Sequence, residues 1–189
     1  MLISTNVASL RSISVRCEYQ GQLDLDLMRR AQQALVKLER LSVSCASFGV
    51  RALKYLSSWS QLSHLQLNAS YDGRVLTHEH ALAFGSLPFL RRLRLVVKNP
   101  NAECPWVLST VLENVPTQID FLELSCFGIE TQHRQRWETF GKKCVRIMNR
   151  RFEGNCPDFR MSGDFFQVEL SYDQSITVVD ERMTVVHLG

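Results

Sequence analysis

The stretch Leu38-Glu-Arg-Leu41-Ser-Val43-Ser-Cys45 decides how this chain is read. Apolar residues stand at its first, fourth, sixth and eighth positions, and the last three alternate with polar ones. The same spacing returns at Leu10-Arg-Ser-Ile13-Ser-Val15-Arg-Cys17, Leu62-Ser-His-Leu65-Gln-Leu67-Asn-Ala69, Leu90-Arg-Arg-Leu93-Arg-Leu95-Val-Val97 and Ile119-Asp-Phe-Leu122-Glu-Leu124-Ser-Cys126. Strand side chains point to alternate faces, so a strict period of two over so short a segment predicts a β-strand with one buried side. The fourth, sixth and eighth positions of all five copies are apolar and form the inward set. Ser12, Ser14, Arg16; Arg40, Ser42, Ser44; His64, Gln66, Asn68; Arg92, Arg94, Val96; and Phe121, Glu123, Ser125 then point the other way.

Successive first positions are 28, 24, 28 and 29 residues apart, which lies within or at the edge of the roughly 20 to 29 residues of a leucine-rich repeat. The expected fold class is α/β: a leucine-rich-repeat solenoid of about five repeats, with a parallel concave sheet and convex helices over residues 1–150. Residues 151–189 are expected to form a β-rich C-terminal cap of the same domain.

The return segments support helices. Leu23, Leu27, Ala31 and Leu35 recur every four residues, and Met28 and Ala34 widen the stripe, which predicts a helix over 25–36. Its polar side, Asp26, Arg29, Arg30, Gln32 and Gln33, then faces water. Val50, Leu53, Tyr55 and Leu56 suit a short second helix, with Trp59 at the turn into the next strand. After an Asp72-Gly73 turn, Thr77 is a candidate N-cap for a third helix over 78–84, which Gly85 would end. Asn99-Pro100 breaks the chain, and Pro105 suits the first turn of a fourth helix with Trp106, Val107, Leu108, Val111, Leu112 and Val115 as its buried stripe. Ile129, His133, Trp137 and Phe140 mark a fifth, closed by Gly141.

No full leucine copy follows. The segments 165–172, 175–180 and 182–188 are rich in apolar and β-branched residues and predict a β-meander that caps the open end, behind an exposed loop marked by Gly154, Asn155, Pro157 and Asp158. At the other end only Leu2, Ile3 and Val7 precede the first strand. Solenoids need caps, so this start is expected to be cut from a longer chain or covered by a partner.

With 189 residues and 45% hydrophobic content, one core and one domain suffice. A net charge of +3 lacks the dense basic patch of a polyanion binder, so nucleic acid is not the expected partner. No apolar run reaches the roughly 18 residues of a membrane span, and the N-terminus lacks a basic region followed by a long apolar core. The chain is therefore read as intracellular, cytoplasmic or nuclear, with no membrane contact. Of its six cysteines, Cys17, Cys45 and Cys126 share one inward repeat position, and without a secretory signal they are expected to stay reduced. Cys104, Cys144 and Cys156 show no C-x-x-C spacing, and His78-Glu79-His80 has no third ligand beside it, so no metal or cofactor is expected. Phosphate-loop, dinucleotide, nucleophile-elbow and H-E-x-x-H signatures are missing, and the reading is noncatalytic.

The binding candidates all lie on the outward columns: Arg16, Arg40, His64, Gln66, Asn68, Arg92, Arg94, Phe121 and Glu123. With Arg91, Arg92 and Arg94 form the densest positive patch, and arginine there can hold a carboxylate or phosphate through two parallel hydrogen bonds. An exposed aromatic beside arginines is the composition of a protein-binding hot spot, and Phe121 is the sharpest pointer. Contact with the C-terminal cap is its competing explanation.

Irregular L-x-x-L-x-[LV] repeats with aromatic-rich return helices, such as Leu87-Pro-Phe-Leu-Arg-Arg-Leu-Arg-Leu95 and Phe121-Leu-Glu-Leu124, resemble the repeat region of fungal F-box and F-box-like proteins over roughly residues 2–150. The resemblance implies a concave surface that presents a ubiquitin-ligase substrate, with adaptor binding left to a separate F-box. That F-box is missing here, because Leu87-Pro88 lies within a repeat. The function expected is thus protein–protein interaction, with RNA or another phosphate-bearing ligand on the arginines as the alternative.

Overall fold

The computed structural model describes residues 9–16, 22–23, 25–45, 47–70, 76–152, 156–164, 166–170 and 176–180. Leu2, Ile3, Val7, Cys17, the Asp72-Gly73 turn, Gly154, Asn155 and the strand expected over 182–188 lie outside the described residues, as do the side chains of Leu23, Leu27 and Ala69.

The five leucine copies become β1 (Ser12–Arg16), β3 (Arg40–Cys45), β5 (His64–Ser70), β6 (Arg92–Lys98) and β7 (Phe121–Phe127). A two-residue pair, β2 (Gln22–Leu23) and β4 (Ser47–Phe48), lies apart. Between the main strands run α1 (Leu25–Ala34), α2 (Val50–Tyr55) with a 3-10 turn at Leu56–Ser58, α3 (His78–Gly85), α4 (Cys104–Asn114) and α5 (Arg134–Phe152). Three further strands complete the order: β8 (Asp158–Gly163) joins β7 in parallel, and β9 (Phe166–Leu170) and β10 (Ile176–Asp180) follow antiparallel. The result is an α/β fold with a mostly parallel, open eight-stranded sheet, ordered β1-β3-β5-β6-β7-β8-β9-β10.

Register is uniform. Ile13, Leu41, Leu65, Leu93, Leu122 and Phe159 pair in one line, and Val15, Val43, Leu67, Leu95, Leu124 and Met161 in the next. A repeated forked hydrogen bond keeps it so. The carbonyl of Arg11 accepts from the N–H groups of Glu39 and Arg40, that of Glu39 from Ser63 and His64, that of Ser63 from Arg91 and Arg92, and that of Arg91 from Asp120 and Phe121. Asp158 N–H continues the series onto the Asp120 carbonyl.

The inward lines bury against the helix layer, in which each helix touches the next in chain order. Met28, Leu53, Phe84, Leu108 and Trp137 represent the five helices in one continuous core with the strands. At about 25 cal/mol per Å2 of apolar surface removed from water, each buried leucine contributes roughly 2 kcal/mol. Local chemistry sets the helix ends. Thr77 caps α3 in a reciprocal arrangement with His80, Pro105 occupies the first turn of α4, and Arg151 of α5 donates to the carbonyls of Glu113 and Val115 where α4 stops.

Several expectations need correction. Helix α1 stops at Ala34, and that residue is exposed because the buried line runs through Met28, Ala31 and Leu35. Ile13 and Val15 are only half-buried, since β1 is the edge strand with a neighbour on one side alone. Trp106 is 58% exposed; it lies beside the buried stripe of α4 and stacks on His78 of α3, ring centroids 5.1 Å apart. Gly85 does end α3, as its last helical residue, and a Cβ there would meet the Asn114 carbonyl at 2.7 Å. Gly141 does not close the fifth helix, which continues to Phe152 because Cys144, Val145, Met148 and Phe152 extend its buried stripe. Ser125 is buried rather than open, covered from β8, whose Ser162 hydroxyl donates to it. Finally, Asp158 opens a sixth parallel strand rather than belonging to a loop: Phe159 and Met161 are fully buried in the leucine lines and Cys156 packs against the core three residues earlier.

Candidate functional site

The outward side chains fall into rows that cross the strands at right angles. The first row is Ser12, Arg40, His64, Arg92, Phe121 and Asp158; the second is Ser14, Ser42, Gln66, Arg94, Glu123 and Arg160; the third is Arg16, Ser44, Asn68, Val96, Ser125 and Ser162. Adjacent strands lie about 4.8 Å apart, so neighbours within a row are close enough to share a ligand or to neutralise one another.

All nine residues expected at the site stand on this one face. Arg40, His64, Gln66, Arg92, Arg94, Phe121 and Glu123 line a groove of about 410 Å3. Arg16 and Asn68 belong instead to an adjoining depression of about 300 Å3, whose far side is Lys98 and Phe127. Gln66 and Arg94 border both.

The charges on this face differ in how they are matched. Arg94 Nε donates to Glu123 Oε1 at 2.9 Å, and Glu123 also accepts from the Ser125 hydroxyl. In the same row Glu169 of β9 stands opposite Arg160 in register, so the row reads Arg, Glu, Arg, Glu from β6 to β9. The Arg160 guanidinium also sits 5.9 Å from the Phe121 ring centroid, a cation–π arrangement that half-covers the aromatic. Phe121 therefore meets the strand that follows it and the groove as well.

Arg40 and Arg92 have no carboxylate partner among the described residues. The acidic groups nearest to them are engaged elsewhere: Glu39 with Arg11 at 2.9 Å and Asp120 with Arg91 at 3.5 Å. Between the two arginines sits His64. Partial burial, then the positive charges of Arg40 and Arg92, hold its imidazole below the ordinary value of 6.5, against a smaller opposing pull from Glu39 and Asp120. Its Nδ1 is 2.8 Å from the Ser63 hydroxyl, which in turn donates to the Glu39 carbonyl.

Sequence reading missed Arg160, Ser162 and Glu169 on this face. The signal was present for the first two: Phe159 and Met161 alternate with Asp158, Arg160 and Ser162, and Cys156 precedes Phe159 by three. It was hidden because no position in that copy is leucine.

A hydrogen bond with Cys104 and burial both push the Cys126 thiol well up; burial does the same for Cys144 and, more weakly, for Cys156. Among the described residues no three His, Cys, Asp or Glu side chains gather as a metal site would need, and no helix is long and apolar enough to cross a membrane. No family model, no curated protein and no solved structure matches the chain.

Proposed function

We propose that the chain is a leucine-rich-repeat solenoid whose concave sheet face binds a protein partner without catalysing a reaction on it. The observation that carries this reading is the groove itself: five successive strands contribute polar and charged side chains to it, and Phe121 stands in it beside Arg92. Aromatic and arginine side chains on a rigid sheet are the usual anchors of a protein interface. The resemblance to fungal F-box repeat regions makes capture of a ubiquitin-ligase substrate, in the cytoplasm or nucleus, one use of such a face, with adaptor binding supplied by another module.

The test is affinity purification with the intact chain against an Arg92→Ala, Arg94→Ala, Phe121→Ala variant, partners being identified by mass spectrometry. All three side chains are outward, so the variant keeps its fold by circular dichroism, and a specific partner is lost. Unchanged partners overturn the reading. RNA or another phosphate-bearing ligand is the second reading, favoured by the unmatched Arg40 and Arg92. It requires binding that weakens steeply with salt and that falls in Arg40, Arg92 and Arg94 variants together.

A further inference from the structure

We propose that Arg40, His64 and Arg92 form a cradle for one oxyanion, a carboxylate or phosphomonoester on an acidic peptide, and that His64 takes up a proton to complete it. The proposal rests on the reading of this face as protein-binding.

Consecutive register partners bring the three side chains together: Arg40 pairs with His64 and His64 with Arg92. Two strand spacings separate the arginines, about 10 Å between backbones, a gap that two long guanidinium side chains can bridge from either side above the imidazole. Each guanidinium offers a fork of N–H donors matched to a carboxylate or phosphate. Both are exposed, and among the described residues neither has an acidic partner, because Glu39 and Asp120 are held by Arg11 and Arg91 and Glu123 by Arg94. Unmatched like charges this close repel each other, and an anion placed between them removes that repulsion.

His64 supplies the proton dependence. The Ser63 hydroxyl lies between the Glu39 carbonyl and His64 Nδ1 and holds the ring in place. The neutral ring has one nitrogen without a hydrogen and carries no charge to offer an oxyanion. Protonation makes both nitrogens donors and adds a positive charge between the arginines. The charged groups that face this ring are Arg40 and Arg92 from the flanking strands, with Glu39 and Asp120 at the strand starts. The two arginines resist protonation in the free protein, and an oxyanion between them reverses that bias. Acidification therefore strengthens anion binding, and anion binding raises the His64 pKa.

A single oxyanion fits better than a nucleic-acid backbone. A strand of phosphates leaving the cradle toward β7–β9 would meet Glu123, Asp158 and Glu169, whereas a peptide carrying one acidic side chain can rest apolar atoms on Phe121 beside Arg92. 

The experiment follows the His64 ring protons by NMR in the intact chain, with three probes: inorganic phosphate, a phosphoserine peptide and its glutamate counterpart. The expected result is a saturable His64 shift with phosphate and at least one peptide, with affinity about tenfold higher at pH 5.5 than at pH 7.5. An Arg40→Gln, Arg92→Gln double variant weakens binding by about tenfold per arginine, while an Arg29→Gln, Arg30→Gln double variant on α1, an equal change of charge, leaves it unchanged. Whichever peptide responds identifies the oxyanion. Silence of His64 toward all three probes, or full affinity in the double variant, overturns the cradle and leaves the protein-binding reading to the Phe121 variant. A response to phosphate alone, with partner capture unchanged by the triple variant, overturns the peptide assignment together with the protein-binding reading. Tighter binding of an RNA oligonucleotide, with a salt slope reporting several phosphates, overturns the peptide as ligand.

Discussion

The two halves of the open sheet face use adjacent rows of outward positions to opposite effect. From β6 to β9 the second row alternates Arg94, Glu123, Arg160 and Glu169, so each cation has an anion on the next strand. From β3 to β6 the first row sets Arg40, His64 and Arg92 side by side with no anion among them. One half alternates in sign, with Arg94 bonded to Glu123, and the other gathers positive charge. Composition alone hides this, since both halves are rich in arginine; only the register of neighbouring strands separates them.

The strongest way to break the comparison is to remove the strand that makes the second half possible. Phe159→Ala empties a fully buried site and should cost about 3 to 5 kcal/mol, read from urea unfolding. A loss near that of a surface change would show that β8 does not share the core of the leucine strands. Next, Gly128→Ala places a side chain at a φ of +77°, where its Cβ would lie 2.1 Å from Asn99 Oδ1. The strain should cost about 1 to 3 kcal/mol and disturb the exits of β6 and β7, where Lys98 and Phe127 border the smaller depression. Thermal denaturation checks it.

Smaller effects sharpen the contrast. A double-mutant cycle on Arg94→Gln and Glu123→Gln should return a coupling of about 0.2 to 1 kcal/mol, the ordinary worth of a partly exposed pair. The same cycle on Arg40→Gln and Arg92→Gln should have the opposite sign, because the two charges repel. Smallest is the pH dependence of stability. His64 has a lowered pKa when folded, so the unfolded chain binds more protons and stability declines as pH falls through the ordinary imidazole value of 6.5 toward the folded one. His64→Gln should make that decline shallower in melts between pH 7 and pH 5.

Much of this arrangement was legible in the residues. Alternation in copies such as Leu65-Gln-Leu67-Asn fixes which side is buried, and spacing fixes the strand count as far as β7. What escaped did so for physical reasons. Volume and apolarity define an inward position, so Cys156, Phe159 and Met161 satisfy it as well as leucine does, yet a pattern built on leucine passes over them. Trp106 and Ala34 look like core by composition, but a rotation of one residue around a helix moves them off the buried stripe. For the candidate site, the face of each residue could be read from its own strand, whereas the partners of Arg40, Arg92 and Arg94 depend on which residues stand opposite, and that is a property of pairing. Likewise, Gly85 and Gly141 both read as helix stops from their type alone; the first does end its helix, in close approach to Asn114, and the second is carried through by the stripe that continues beyond it.

The forked carbonyls at the strand starts carry a consequence of their own. Because Arg11, Glu39, Ser63 and Arg91 each hold two N–H groups of the strand that follows, every strand inherits its height from its predecessor, whatever the length of the excursion between them. Insertions in a return segment can then be absorbed on the helical side without displacing the opposite surface. A slip at β3, by contrast, would be copied down the series, which makes the earliest strand pairings the ones that fidelity of assembly depends on most.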